Sequence, residues 1–80
     1  MFNMELKDFI QVFAEQFDET PANVFVPSTS FRDLEDWSSI VALSLISMAD
    51  EEFGVQITGP ELRRVLTVEE YYNLIQSKKQ

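Results

Sequence analysis

The sequence predicts an all-α fold: a small, irregular four-helix bundle with three main helices, one short helix and a long first loop. Three observations carry that prediction. Apolar residues recur at helical spacing over 3–18 and again over 38–53. Two Thr-x-x-Glu signatures of a helix start follow, at Thr58–Glu61 and Thr67–Glu70. The stretch 19–37 between the first two periodic segments keeps no sustained period. The 80 residues are expected to form one domain over 1–80, because a chain this short has no room for a second core.

In the first segment Leu6, Phe9, Ile10, Phe13 and Phe17 fall on one helical face, with Lys7, Asp8, Gln11, Glu15 and Gln16 mostly elsewhere. Asn3 is the candidate N-cap. The next stretch, ETPANVFVPSTSFRDLEDW, holds two of the three prolines. Its Val24, Val26, Phe31, Leu34 and Trp37 argue that it is pinned across a core rather than disordered, and there is room in it for a single helical turn. Loops of this length in small domains are usually functional.

From Ser38 to Phe53 there is no Gly or Pro. Ile40, Leu43, Ile46, Ala49 and Phe53 make one stripe, and Val41, Leu45 and Met48 an adjacent one. A helix so broadly apolar is either central or shows part of its surface to a partner. Asp50, Glu51 and Glu52 crowd its last turn, the unfavourable end for the macrodipole. They are either ordinary solvated surface or there for a reason other than stability. Gly54 ends the helix as a C′ residue, and Val55-Gln56-Ile57 is extended or irregular with its apolar residues inward. Thr58 opens a short helix to about Val65. Thr67 opens the last one, to about Ser77, with Tyr71, Leu74 and Ile75 inward and Lys78 and Lys79 at the favourable end. The loops between the later helices are short, so these elements pack as neighbours.

Fourteen acids against six bases leave a net charge of −8, which disfavours nucleic acid and suits partners with basic surfaces. The charge is uneven, −9 over residues 1–57 and +1 over 58–80. With no histidine and no cysteine, the chain lacks the usual neutral-pH general base, a thiolate nucleophile, disulfides and Cys/His zinc sites. Covalent chemistry here needs a prosthetic group to bring the reactive atom, and the chain is not expected to be an enzyme. No segment reaches the apolar length of a membrane span, and the N-terminus does not read as a signal peptide. A cytoplasmic location and a monomer are expected.

Several motifs fail on their chemistry. Asp50–Glu61 begins and ends as a calcium loop does, but Val55 stands where that loop needs glycine and Gly54 where it needs an oxygen ligand. Asp33, Glu35 and Asp36 fit solvated surface better than a catalytic carboxylate pair. With Gly54 and Gly59 the only glycines, there is no G-x-S-x-G elbow and no phosphate-cradling loop. Ser38-Ser39, where the long loop becomes the central helix, supports two assignments. One serine is simply an N-cap and the other idle, or Ser38 caps while Ser39 faces solvent, where free N–H groups and the helix dipole favour an attached phosphate.

The run Asp33-Leu34-Glu35-Asp36-Trp37-Ser38-Ser39-Ile40, then a helix, then Asp50-Glu51-Glu52-Phe53-Gly54-Val55-Gln56-Ile57, resembles acyl carrier proteins. That family reads D-L-G-x-D-S-L, a helix, E-E-E-F-G-V-x-I, a short helix and T-V-x at the last helix, here Thr67-Val68-Glu69. The likeness covers about residues 31 to 76, and the spacing from the family's serine to F-G-V is kept when Ser39 is matched. The resemblance implies that Ser39 carries 4′-phosphopantetheine, added from coenzyme A by a phosphopantetheinyl transferase (a holo-carrier synthase). The arm's thiol then holds an acyl group as a thioester. The chain is thus expected to be a discrete carrier presenting acyl groups to acyl-transferring, ligating and condensing enzymes of fatty-acid or specialised acyl-chain biosynthesis. It further implies a docking face of Ile40, Leu43, Ser47, Asp50 and Glu51 for partners with basic surfaces; core packing is the competing assignment for Ile40 and Leu43, and Leu43 suits both. Three departures stand out. Ser38 replaces the family's Asp, Glu35-Asp36-Trp37 is one residue longer than the usual spacing, and Val41 and Ser44 occupy positions often acidic. The last points to a dedicated partner set, and Trp37 is best read as a core anchor. The alternatives are a carrier of aminoacyl or other specialised groups, or a non-carrier helical adaptor that binds a partner through its central helix.

Overall fold

A computed structural model describes residues 4–79. Its four helices are α1 (Leu6–Ala14), α2 (Ser39–Phe53), α3 (Gly59–Arg64) and α4 (Val68–Lys78), with short 3-10 turns at Ala22–Val24 and Phe31–Asp33. The described residues contain no strand, and no helix among them is long and apolar enough to cross a membrane. Helix α1 packs against α4, and α2 against α3.

Helix α1 is shorter than its periodicity suggests. The Asn3 cap lies outside the described residues, and Glu5 precedes the helix without a side-chain cap. At the far end the Gln16 side-chain amide donates to the Val12 carbonyl at 3.1 Å, and the chain tightens through Gln16 N–H to Phe13 O and Phe17 N–H to Ala14 O. Asp36 then captures the next free donors: its carboxylate accepts from the Glu19 and Thr20 N–H groups at 3.0 and 3.1 Å. Those N–H groups cannot also continue a helical ladder. Phe17 is still buried, because the tightened turn keeps it beside Phe13.

The long loop is pinned, by Phe31, Leu34 and Trp37 as expected, but by Phe25 in place of Val24 and Val26. Val24 and Val26 are 41% and 47% exposed, whereas Phe25 between them is 5% exposed. The 3-10 turn over 22–24 rotates the chain by one position, so the larger ring goes inward, against Phe13 and Phe17. Phe31 is fully buried, and Leu34 and Trp37 pack partly buried against the core. The loop is also stitched to α4. Val68 N–H donates to Thr29 O, Glu69 N–H to Pro27 O, and Glu70 N–H to Thr67 Oγ1, so three of α4's unpaired N-terminal donors find acceptors.

Phe13 is the hub of the core, its ring 5.3–6.0 Å from those of Phe9, Phe17, Phe25, Phe31 and Tyr71. Aromatic pairs at such separations add to the stabilisation from buried area. Helix α2 contributes Val41, Leu45, Met48 and Ala49, the second apolar stripe together with Ala49 of the first. The Tyr71 hydroxyl donates to the Leu45 carbonyl at 2.7 Å, tying α4 to the middle of α2. Gly54 ends α2 at φ 67°, where its N–H and that of Val55 return to Asp50 O and Ala49 O; a side chain at this left-handed position would be strained. Thr58 and Glu61 form the full reciprocal capping box. At α4 the box is half made, because Glu70 Oε1 accepts from Leu66 N–H at 2.7 Å, one residue beyond the cap Thr67.

Candidate functional site

The start of α2 divides labour between the two serines. Ser38 is the N-cap, extended at φ −157°, ψ 171°, and its Oγ accepts from Val41 N–H at 3.2 Å. Ser39 is the first helical residue, exposed, and among the described residues its hydroxyl makes no hydrogen bond. A reactive group at Ser39 therefore has no internal bond to break and stands at the positive end of a 15-residue helix.

The platform beneath this serine is stiff. Asp36 holds Glu19 and Thr20 through their N–H groups and the Thr20 hydroxyl, the last at 2.6 Å. The Thr20 hydroxyl, assisted by the Glu19 and Thr20 N–H groups, keeps the Asp36 carboxyl below the ordinary range. Trp37 N–H donates to Leu34 O, and the Trp37 ring sits 5.5 Å from Phe31 and 6.5 Å from Phe17. Asp36 is thus a tie between loop segments rather than idle surface, whereas Asp33 and Glu35 are exposed.

Grooves flank α2 on both its α1 and its α3 sides, and a further one at its start is lined by Ser38, Ile40 and Val41 with Asp18, Glu19, Glu35 and Asp36. Between α2 and α3 a largely apolar groove of about 490 Å³ is lined by Trp37, Ser38, Ser39, Ala42, Leu43, Ile46 and Leu62, with Arg32 and Arg63 at its edge. On the other side a shallower groove of about 300 Å³ runs between α2 and α1. It brings together Ile40, Leu43, Ser47 and Glu51, which recur on α2 at helical spacing; Asp50 is exposed but does not line it. Ile40 and Leu43 are 74% and 64% exposed, so core packing is not their place. Glu52 and, from α1, Glu15 add to the acidic lining.

Glu15, Arg32 and Arg63 escaped the sequence reading, since the grooves join elements distant in the chain. The one signal for Arg32 was its rarity: it and Lys7 are the only bases in residues 1–57.

Comparison with known proteins gives a consistent picture. A family model described as the phosphopantetheine attachment site matches residues 7–75. An acyl carrier protein of Thermosynechococcus vestitus is 33% identical over 67 residues, 84% of this chain and 82% of that protein. An acyl carrier protein of Thermobifida fusca is 33% identical over 73 residues, 88% of this chain and 92% of its own length.

Proposed function

The chain belongs to the acyl carrier protein family, and from that premise we propose that Ser39 is the residue bearing its covalent 4′-phosphopantetheine. The observation that carries the assignment is the contrast between neighbours: the Ser38 oxygen is spent on the Val41 N–H, and the Ser39 hydroxyl is exposed and unbonded. The residues suit the group, with an open hydroxyl for the phosphodiester and an apolar groove beginning at the same residue. When attached, the arm supplies the terminal thiol that holds acyl cargo as a thioester, in a chain that has no cysteine of its own.

As a carrier the chain is not itself an enzyme, and its residues bind and orient. A phosphopantetheinyl transferase moves the phosphopantetheinyl group from coenzyme A to Ser39 Oγ; the hydroxyl loses its proton and the nucleotide half of coenzyme A departs. Cap, Trp37 anchor and Asp36 tie fix where the arm begins. Ile40, Leu43, Ser47, Asp50 and Glu51 form the docking face for enzymes with basic surfaces, which build or transfer fatty-acid or specialised acyl chains. Helix α2 has no acid in its first turn, which favours a dedicated partner set.

The test is intact mass after incubation with coenzyme A and a broad-specificity transferase. Wild type and Ser38→Ala gain one phosphopantetheinyl unit and Ser39→Ala gains none. Modification that follows Ser38 instead overturns the register. No gain with any transferase moves the reading to an adaptor that binds partners through the exposed Ile40 and Leu43.

A further inference from the structure

Arg32 and Arg63 are far apart in sequence yet line the same groove as Ser39. Arg32 sits on the 3-10 turn anchored by buried Phe31, and its Nη1 donates to the Arg63 main-chain carbonyl at 2.6 Å. The Arg63 guanidinium folds back along α3, so that its Nη1 would stand 3.5 Å from a Cβ placed on Gly59. Among the described residues neither guanidinium has a carboxylate within ion-pair distance. Two like charges with no counter-ion therefore border one apolar-walled groove, in a chain that carries −8 overall. No acidic side chain among the described residues lines this groove.

A guanidinium presents five N–H donors in a planar fork that matches phosphate oxygens, and Arg32 commits one donor to Arg63 O. Taking Ser39 as the attachment residue, as argued above, the first anion along the arm is the phosphodiester on Ser39 Oγ itself, while the cargo lies a whole pantetheine length farther on. We propose that Arg32 and Arg63 hold the phosphodiester borne by Ser39 through charge-assisted hydrogen bonds, and so fix the direction in which the arm leaves the protein. They are positioning residues and take no part in thioester chemistry.

The experiment uses loaded wild type, Arg32→Gln, Arg63→Gln and Arg32→Lys, each first checked by intact mass. Arg63→Gln spares the main-chain carbonyl that Arg32 bonds, so it tests the charge without loosening that tie. The expected result has two parts. Loading shifts the Arg32 and Arg63 Nε–H resonances of wild type, and the phosphorus resonance of the arm moves with added salt as screening weakens the contact. In Arg32→Gln and Arg63→Gln that salt response falls by more than half, and Arg32→Lys restores part of it. If the arm is present on Ser39 but loading leaves the Arg32 and Arg63 resonances of wild type unmoved, or the phosphorus response to salt is the same in all four proteins, the clamp is refuted and the attachment assignment stands. The clamp is equally refuted if the variants change only the rate of association with a partner enzyme, since the arginines then face an acidic partner. Absence of the arm from Ser39 by mass brings down both readings.

Discussion

Replacing Ser38 with alanine separates the work of the two serines. The Ser38 Oγ accepts the Val41 N–H at 3.2 Å from an extended backbone at φ −157°, ψ 171°, a conformation alanine adopts without strain. The substitution therefore removes the cap and little else. Serine caps are worth about 0.5–2 kcal/mol, and a bond at the long end of the N–H···O range points to the lower part of that interval. In a domain of this size 1 kcal/mol moves the melting temperature by about 4–8 °C, so Ser38→Ala is expected to melt roughly 2–8 °C below wild type. Ser39→Ala removes an exposed hydroxyl with no partner and adds the best helix former, so its stability stays within about 0.5 kcal/mol of wild type. Ser38→Asp keeps an acceptor at the cap and places a negative charge at the positive helix end, a gain of about 0.3–1 kcal/mol that salt screens. Thermal unfolding followed by far-ultraviolet circular dichroism, at low and high salt, measures all three. If Ser39→Ala lowers the melting temperature and Ser38→Ala does not, the roles are exchanged and the register of the attachment site falls with them.

Three further outcomes follow from the same structure. Burial pushes the Tyr71 phenol above its ordinary value of 10.0; a raised folded-state value stabilises fully below the unfolded one and is lost as pH rises, so one pH unit above it wild type loses about 1.4 kcal/mol more than Tyr71→Phe. Parallel alkaline unfolding curves would contradict this. The Lys78 ammonium and the Thr58 N–H hold the Glu61 carboxyl at about 2, from 4.5; a depressed value stabilises above the unfolded one and is lost as pH falls. The melting temperature of Glu61→Gln should therefore vary less than that of wild type between those two values, and equal slopes would remove the Lys78 tie from the account. Asp50→Lys with Glu51→Lys should slow association with the transferase and flatten its salt dependence in stopped-flow measurements, and an unchanged rate at every ionic strength would sink the docking assignment.

Features written in adjacent residues were legible in the sequence, and features made by distant ones were not. The span of α2, its Gly54 stop and the Thr58 box are set by neighbours three or four residues apart, and all three are present. The end of α1 was misjudged because the backbone tightens after Ala14, through Gln16 N–H to Phe13 O and Phe17 N–H to Ala14 O, while the apolar spacing runs on to Phe17; the tie from Asp36 to the Glu19 and Thr20 N–H groups, seventeen and sixteen residues apart in the chain, was equally invisible. Val24 and Val26 were misjudged as anchors because the 3-10 turn over Ala22–Val24 sets which residue faces inward, and apolar composition alone carries no trace of that turn. At the site, Ser39 and the helical spacing of Ile40, Leu43 and Ser47 could be read locally. Glu15 on one flank and the Arg32–Arg63 pair on the other could not, since each groove is closed by an element from elsewhere in the chain.

Helix α2 also explains how a small domain can carry features that do not serve its own stability. Its last turn has no base to offset Asp50, Glu51 and Glu52, and Ile40 and Leu43 leave large apolar surfaces in water. The helix tolerates both because it is held elsewhere: by the Ser38 cap at one end, by Gly54 at the other, and by the Tyr71 hydroxyl on Leu45 O between them. Burying one large aliphatic side chain at an interface is worth about 1.5–3 kcal/mol, whereas exposed charges act chiefly on encounter rate. On the proposed docking face the two effects are separated along one helix. Apolar residues that prolong a complex lie about one turn from the proposed attachment serine, and acids that hasten its formation lie about three turns away. Such a division lets a partner be drawn in rapidly at one end of α2 while the stay at Ser39 is set independently by how well its surface fits Ile40 and Leu43.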